Sequence, residues 1–212
     1  MKHSFLALTL ATAILLYGCA TSIPLTSNIN DFVMMGIKTN NNEKVDFTYS
    51  SKVVDGTIKA YEKDMTEEAS GAGYEHSEAS SLKKMLSEFM SNKYPNISKD
   101  GTTKIKISFE DFHIEQYSEE GTGKKILTAL VGGKSDLILV AKVKVLVIVN
   151  RNGQETTKII TGTSEERYTS VTTSQGTYDK NDSIQGVHGK NINNANNKVL
   201  MMLNAYFQEL GM

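Results

Sequence analysis

The chain of 212 residues contains no tryptophan, two prolines and a single cysteine. One cysteine excludes an intrachain disulfide and a cysteine-rich zinc site, so the fold must hold by packing. Lysine and arginine number 23 against 24 aspartates and glutamates, and no basic block occurs. That balance argues against nucleic acid as a main partner and against binding through an anionic membrane surface. No apolar run is long enough to span a bilayer. No internal repeat and no Gly-x-Ser-x-Gly elbow is present. Gly132-Gly133-Lys134-Ser135 has the end of a phosphate-binding loop, but Thr128 stands where its first glycine belongs, and a strand pattern follows where a helix should open. Nucleotide binding is therefore not expected. His76, His113 and His188 are far apart, with no second histidine at metal-ligand spacing, so no metal is expected. Glu67-Glu68, Glu119-Glu120 and Glu165-Glu166 are adjacent acids, and neighbours on a strand or helix point in different directions. They read as solvated faces.

What the chain does have is a distinctive start. Lys2 and His3 precede an apolar stretch from Phe5 to Leu16, and Leu16-Tyr17-Gly18-Cys19 closes it. This is a positive n-region, a short h-region interrupted by Thr9 and Thr12, and a small residue before a cleavage point. The tetrapeptide resembles the lipobox of bacterial lipoproteins, with bulky Tyr17 where a small residue is usual. The resemblance implies a signal peptide at 1–18 and cleavage before Cys19. It also implies that Cys19 is the lipid attachment site, carrying diacylglycerol and an N-acyl chain and no other cofactor. Two or more chains give stable membrane anchoring where one does not. Ala20, after the cysteine, implies delivery to the outer membrane. Loss of Lys2 with the signal takes the net charge from −1 to −2.

Residues 19–30 read as an acylated N-terminus and a polar tether, and 31–212 as a single periplasmic domain. Phe32 to Ile37 reads as a buried strand, joined through a turn at Asn40–Asn42 to a half-buried strand carrying Val45, Phe47 and Tyr49. The stretch 52–74 mixes a weak helical stripe with glycines and reads mostly as irregular. Ala79, Leu82, Met85, Leu86, Phe89 and Met90 recur at helical spacing, with Ser77 placed to cap and Pro95 to stop the helix. Ile105, Ile107 and Phe109 alternate, then Phe112 and Ile114 continue out of phase. This predicts a bulge near Glu110-Asp111. Leu137 to Val149 predicts a central strand covered at least partly on both sides. Asn152-Gly153 predicts a tight hairpin to a partner strand at about 156–168. Ser170 to Lys190 reads as a long polar loop, and Ile192 to Leu210 as an amphipathic helix stopped at Gly211. The expected fold is α+β: a largely antiparallel or mixed sheet of four to five strands with two amphipathic helices on one face.

Between Gly121 and Lys134 lies an apolar segment including Leu127, Leu130 and Val131. It reads either as a loop or short helix finishing the core, or as an exposed hinge that contacts a partner or the membrane. From Ser77 to Leu210 the order of elements resembles small envelope lipoproteins of the YajG type, with auxiliary lipoproteins of envelope transport systems and LptE-like subunits as distant relatives. The resemblance implies a non-enzymatic, periplasm-facing accessory or scaffold subunit held to the outer membrane by its lipid and bound to an envelope protein partner. A carrier or chaperone for lipid or lipopolysaccharide is the alternative, and would need an apolar cavity between helices and sheet. An envelope hydrolase is a third class, without a recognisable motif.

Overall fold

A computed structural model describes residues 21–26, 28–61, 73–118, 133–173, 176–179 and 183–212. Five strands form the main sheet: β2 (Val45–Ser51), β5 (Thr103–Tyr117), β6 (Gly133–Arg151), β7 (Gln154–Thr173) and β8 (Gly176–Asp179). They lie in the order β2-β5-β6-β7-β8, with β2 parallel to β5 and every other pair antiparallel. A small sheet, in the order β1-β4-β3, is made by β1 (Thr21–Ser22), β3 (Gly56–Ile58) and β4 (Tyr74–His76). The helices are α1 (Asp31–Gly36), α2 (Glu78–Lys93) and α3 (Ile184–Glu209). The fold is α+β, with α2 and α3 packed on one face of a mixed five-stranded sheet.

Alternation decides which face of the sheet is buried. Val143, Val145 and Val147 on β6 and Ile105, Ile107 and Phe109 on β5 are fully buried beneath the helices. Pairing runs Phe109↔Val145 and then Asp111↔Lys144, so Glu110 is the extra residue that puts Phe112 and Ile114 back on the core face. On the opposite face of β6, Ile138 and Val140 are also buried, while Leu146 and Ile148 are half-buried. Asn152 (φ 54°) and Gly153 (φ 78°) both take left-handed conformations in the β6–β7 hairpin, as a two-residue loop between twisted strands requires.

Leu82, Met85, Leu86, Phe89 and Met90 of α2 meet Ile192, Ala195, Val199, Leu203 and Phe207 of α3 in one core cluster. The α3 backbone lies so near β7 that a Cβ on Gly162 would overlap the Ala195 carbonyl oxygen. Ser183 caps α3, its Oγ accepting from Gly186 N at 3.2 Å, and Gly211 (φ 69°) follows the helix in the left-handed conformation that ends it.

Three expectations are corrected. Phe32 to Ile37 is not a strand. Asn30 Oδ1 accepts from Val33 N at 2.9 Å and starts α1, and β2 pairs with β5 rather than with a preceding strand through a turn at Asn40–Asn42. The stretch from Ser170 to Lys190 is not one loop. Its threonines and serines extend β7 to Thr173, β8 follows, and α3 opens at Ile184. Ser77 precedes α2 without capping it through its side chain; Asp55 Oδ1 instead accepts from Ala79 N at 2.8 Å and Ser80 N at 3.3 Å. A carboxylate suits that position better than a hydroxyl, because the helix N-terminus carries partial positive charge. Within 52–74 the described residues are mostly irregular, as expected, with the three-residue β3, a bridge from Tyr61 to Glu115, and Tyr74 opening β4.

The contact at Gly162 sets a stability prediction. Gly162→Ala forces backbone against backbone and should cost about 1–3 kcal/mol, the usual range for overpacking. Gly56→Ala, where nothing lies within 4 Å of the added Cβ, should change stability by less than about 0.5 kcal/mol. Urea unfolding midpoints of the two variants check this.

Candidate functional site

The N-terminal segment expected to be a free tether is strapped along α3. Thr21 N donates to Gly73 O at 3.3 Å and Ile23 N to Glu75 O at 2.9 Å, and the Ile23 side chain is buried. Gln185 Nε2 donates to Thr21 Oγ1 at 3.2 Å, at the start of α3. Gly189 lies directly beneath Pro24, with no room for a Cβ. Asn197 Oδ1 accepts from Asn30 N at 2.9 Å, and Asn204 Nδ2 donates to Gly36 O at 2.8 Å. Residues 185, 189, 197 and 204 recur at steps that keep them on one side of a helix, so a single face of α3 reads the strap from end to end. The strap therefore advances in the same direction as α3.

At the far end of the strap α1 lies on α3. Val33 turns inward and is buried, whereas Phe32 and Met35 stay 66% and 79% exposed. With Met201 and Asn204 of α3 they line an apolar groove of about 370 Å³. Met202 beside it is 46% exposed. From Gln185 to Met201 is sixteen residues of helix, about 24 Å at 1.5 Å per residue. The groove and the start of the strap thus sit at well-separated ends of one rigid element.

A second feature is a polar seam between the β4–α2 segment and α3. The Tyr74 ring lies 4.9 Å from the His188 ring, and His76 Nδ1 accepts from Glu78 N at 3.3 Å. His188 is fully buried, and neither ring nitrogen has a hydrogen-bond partner among the described residues. Burial lowers its pKa to about 4. Glu78 is also fully buried and neither carboxyl oxygen has a hydrogen-bond partner among the described residues. Burial raises it to about 8; the adjacent Asn196 amide opposes the shift and the Asp55 charge adds to it. Its place in the first turn of α2 would favour the anion by about 0.3–1 kcal/mol, too little to offset burial. His188 and Asn196 are eight residues apart on α3, about 12 Å along its axis. The histidine and the acid are therefore not a proton-exchanging pair.

Other expected residues are scattered. His113 lies on the opposite face of the sheet, stacked on Tyr61 at 4.5 Å and 3.3 Å from Glu115, which also pairs with Lys142. Glu165 is exposed, while Glu166 meets Lys190 at 3.6 Å. Gly133, Lys134 and Ser135 open strand β6 rather than a helix. No group of three or more potential metal ligands occurs among the described residues. No described helix is long and apolar enough to cross a membrane. Cys19, Leu127, Leu130 and Val131 lie outside the described residues. The strand ends that flank the last three, Tyr117 and Gly133, lie at the end of the sheet near the start of α3, where Asn191 Nδ2 donates to Leu139 O at 2.5 Å.

The seam gives the fold a pH dependence with a definite sign. Glu78, raised from 4.5 to about 8, stays protonated in the folded state while the unfolded chain has lost the proton, so its contribution falls as pH rises between those values. His188, lowered from 6.5 to about 4, contributes stability above 6.5 that is lost as pH falls toward 4. Just below 6.5 the lowered His76 and His188 both oppose the Glu78 slope, and from 6.5 to about 8 the Glu78 slope is the one the seam contributes. Glu78→Gln should remove the alkaline decline, seen as a melting temperature that no longer drops between pH 6.5 and 8.

No protein-family model matches the chain, and no curated protein matches it. Among solved structures, a crystal structure titled as that of an uncharacterized protein is similar at 11% identity and a TM-score of 0.40, over 91% of this chain and 99% of its own.

Proposed function

We propose that this protein is a lipid-anchored, non-enzymatic accessory subunit of the bacterial envelope, which binds an apolar segment of a protein partner in the groove between α1 and α3. The observation that carries the reading is the pairing of exposed Phe32, Met35 and Met201 around an apolar groove at one end of α3 with a strapped N-terminus at the other. The lipobox-like run ending at Cys19 places the acyl chains on the strapped side. The groove stands about 24 Å along the helix from that side, away from the bilayer into which the acyl chains would insert. A protein segment is therefore its occupant rather than the bilayer. Methionine lining suits this role, because its flexible, polarizable side chain adapts to an incoming apolar face.

The interior weighs against a carrier of lipid. Met85, Phe89, Ile107, Val145, Val199 and Phe207 fill the space between helices and sheet and are fully buried. A ligand there would have to displace close-packed core. The buried Glu78 and His188, held apart, favour no hydrolytic role.

The test places a photocrosslinking residue at Met35 in the acylated protein within native envelopes. One recurring partner peptide, lost on Met201→Glu and insensitive to mutations on the open sheet face, is the expected result. Met201→Glu should weaken that partner at least about tenfold, or about 1.4 kcal/mol, with an unchanged melting temperature because the side chain is 41% exposed. Crosslinks to lipid alone, or to a different protein in each preparation, would sink the reading. In parallel, Cys19→Ala should remove the acyl mass and release the chain from the membrane fraction.

A further inference from the structure

On the anchored reading, the strap determines how the domain meets the membrane. Cleavage before Cys19 leaves that residue and Ala20 between the lipid and Thr21, the first residue of β1. Two extended residues reach about 7 Å. The headgroup layer of one leaflet is itself roughly 5–8 Å deep. The connection can therefore cross the headgroups and no more.

Thr21 is not free to lengthen that connection. Its N–H is bonded to Gly73 O and its hydroxyl to Gln185, and the next side chain but one, Ile23, is 3% exposed. Pulling out β1 would break the Thr21 and Ile23 backbone bonds to β4 and expose Ile23 at once. Losing two backbone hydrogen bonds and a buried isoleucine together is costly enough that thermal motion does not release β1 routinely.

We infer that the end of the domain formed by β1, β4 and the first turn of α3 is a membrane-contact surface, seated in the headgroup layer, and that α3 leads away from the bilayer toward the α1–α3 groove. Among the described residues the surface is polar: Thr21, Ser22, Thr57, Lys59, Glu75 and Ser183 are exposed on or beside it. That composition suits headgroups rather than acyl chains.

The experiment uses the full acylated protein in phosphatidylcholine vesicles that carry a nitroxide quencher on a fraction of headgroups. With Cys19 acylated, an introduced cysteine is the only thiol, so a fluorophore goes to Glu75→Cys, Met201→Cys or Asn152→Cys in turn. Strong quenching at Glu75, with little at Met201 and at Asn152 in the β6–β7 hairpin, is expected. Inserting ten Gly/Ser residues between Ala20 and Thr21 should abolish quenching at Glu75 while the protein still floats with the vesicles. Flotation without quenching at Glu75, comparable quenching at Met201, or quenching that survives the insertion would each overturn the inference. Failure of the anchored reading itself looks different: wild type would carry no acyl mass and would float no better than Cys19→Ala.

Discussion

Gly162 lets the backbone of α3 lie against β7 where any side chain would hold it off. That contact brings a 26-residue helix into the sheet along most of its length. Once α3 is seated, its remaining faces become the frame for everything else on that side. One face receives α2 through Phe89 and Phe207, whose rings lie 6.4 Å apart. Another receives the N-terminal strap through Gln185, Gly189, Asn197 and Asn204. The helix is thus both wall of the core and ruler for the strap. The separation between the groove and the start of the strap is inherited from its length.

The polar seam shows what this arrangement costs. A glutamic acid and a histidine, both fully buried, would each be replaced without loss of packing by an apolar side chain of similar size. Both are instead held at the contact between the β4–α2 segment and α3, with hydrogen-bonding capacity left over. Unsatisfied groups of this kind cost about 1–3 kcal/mol each. The core elsewhere is dense and apolar enough to tolerate them.

Much of the sheet was legible because its signals are local. The phase change between Phe109 and Phe112 announced the bulge, and Asn152-Gly153 announced the hairpin. The stripes Ala79–Met90 and Ile192–Leu210 gave both packed helices because three- and four-residue steps have one reading in a helix, although Met202 in the second stripe is exposed and that helix opens earlier, at Ile184. Failures came where a decisive partner was distant. Phe32-Val33-Met34-Met35 has no period of its own, and what fixes it as a helix is the capping Asn30, itself bonded to Asn197. Asp55, 24 residues upstream of Ala79, took the role assigned to Ser77. The Ser/Thr-rich stretch after Ser170 looked like loop by composition, yet threonine is at home in a strand once a neighbour is there to pair with it. The strap had one overlooked sign: Asn197 is a poor helix former in mid-helix, repaid by its bond to Asn30 N. Cys19, singled out by its motif, and Leu127, Leu130 and Val131 all fall outside the described residues.

The strap also has a temporal side. Its first bonds reach residues 73 to 75, and its last reaches Asn204, 168 positions downstream of Gly36. No part of α3 exists until nearly the whole chain has been made. Closing so long a loop carries an entropy cost that is repaid only after α3 has docked on the sheet. The strap segment consequently stays slack until the last helix is present. It becomes a fixed strap when that helix docks. Seating of the strap and docking of α3 are therefore coupled late events in folding, with the timing set by the position of α3 late in the sequence.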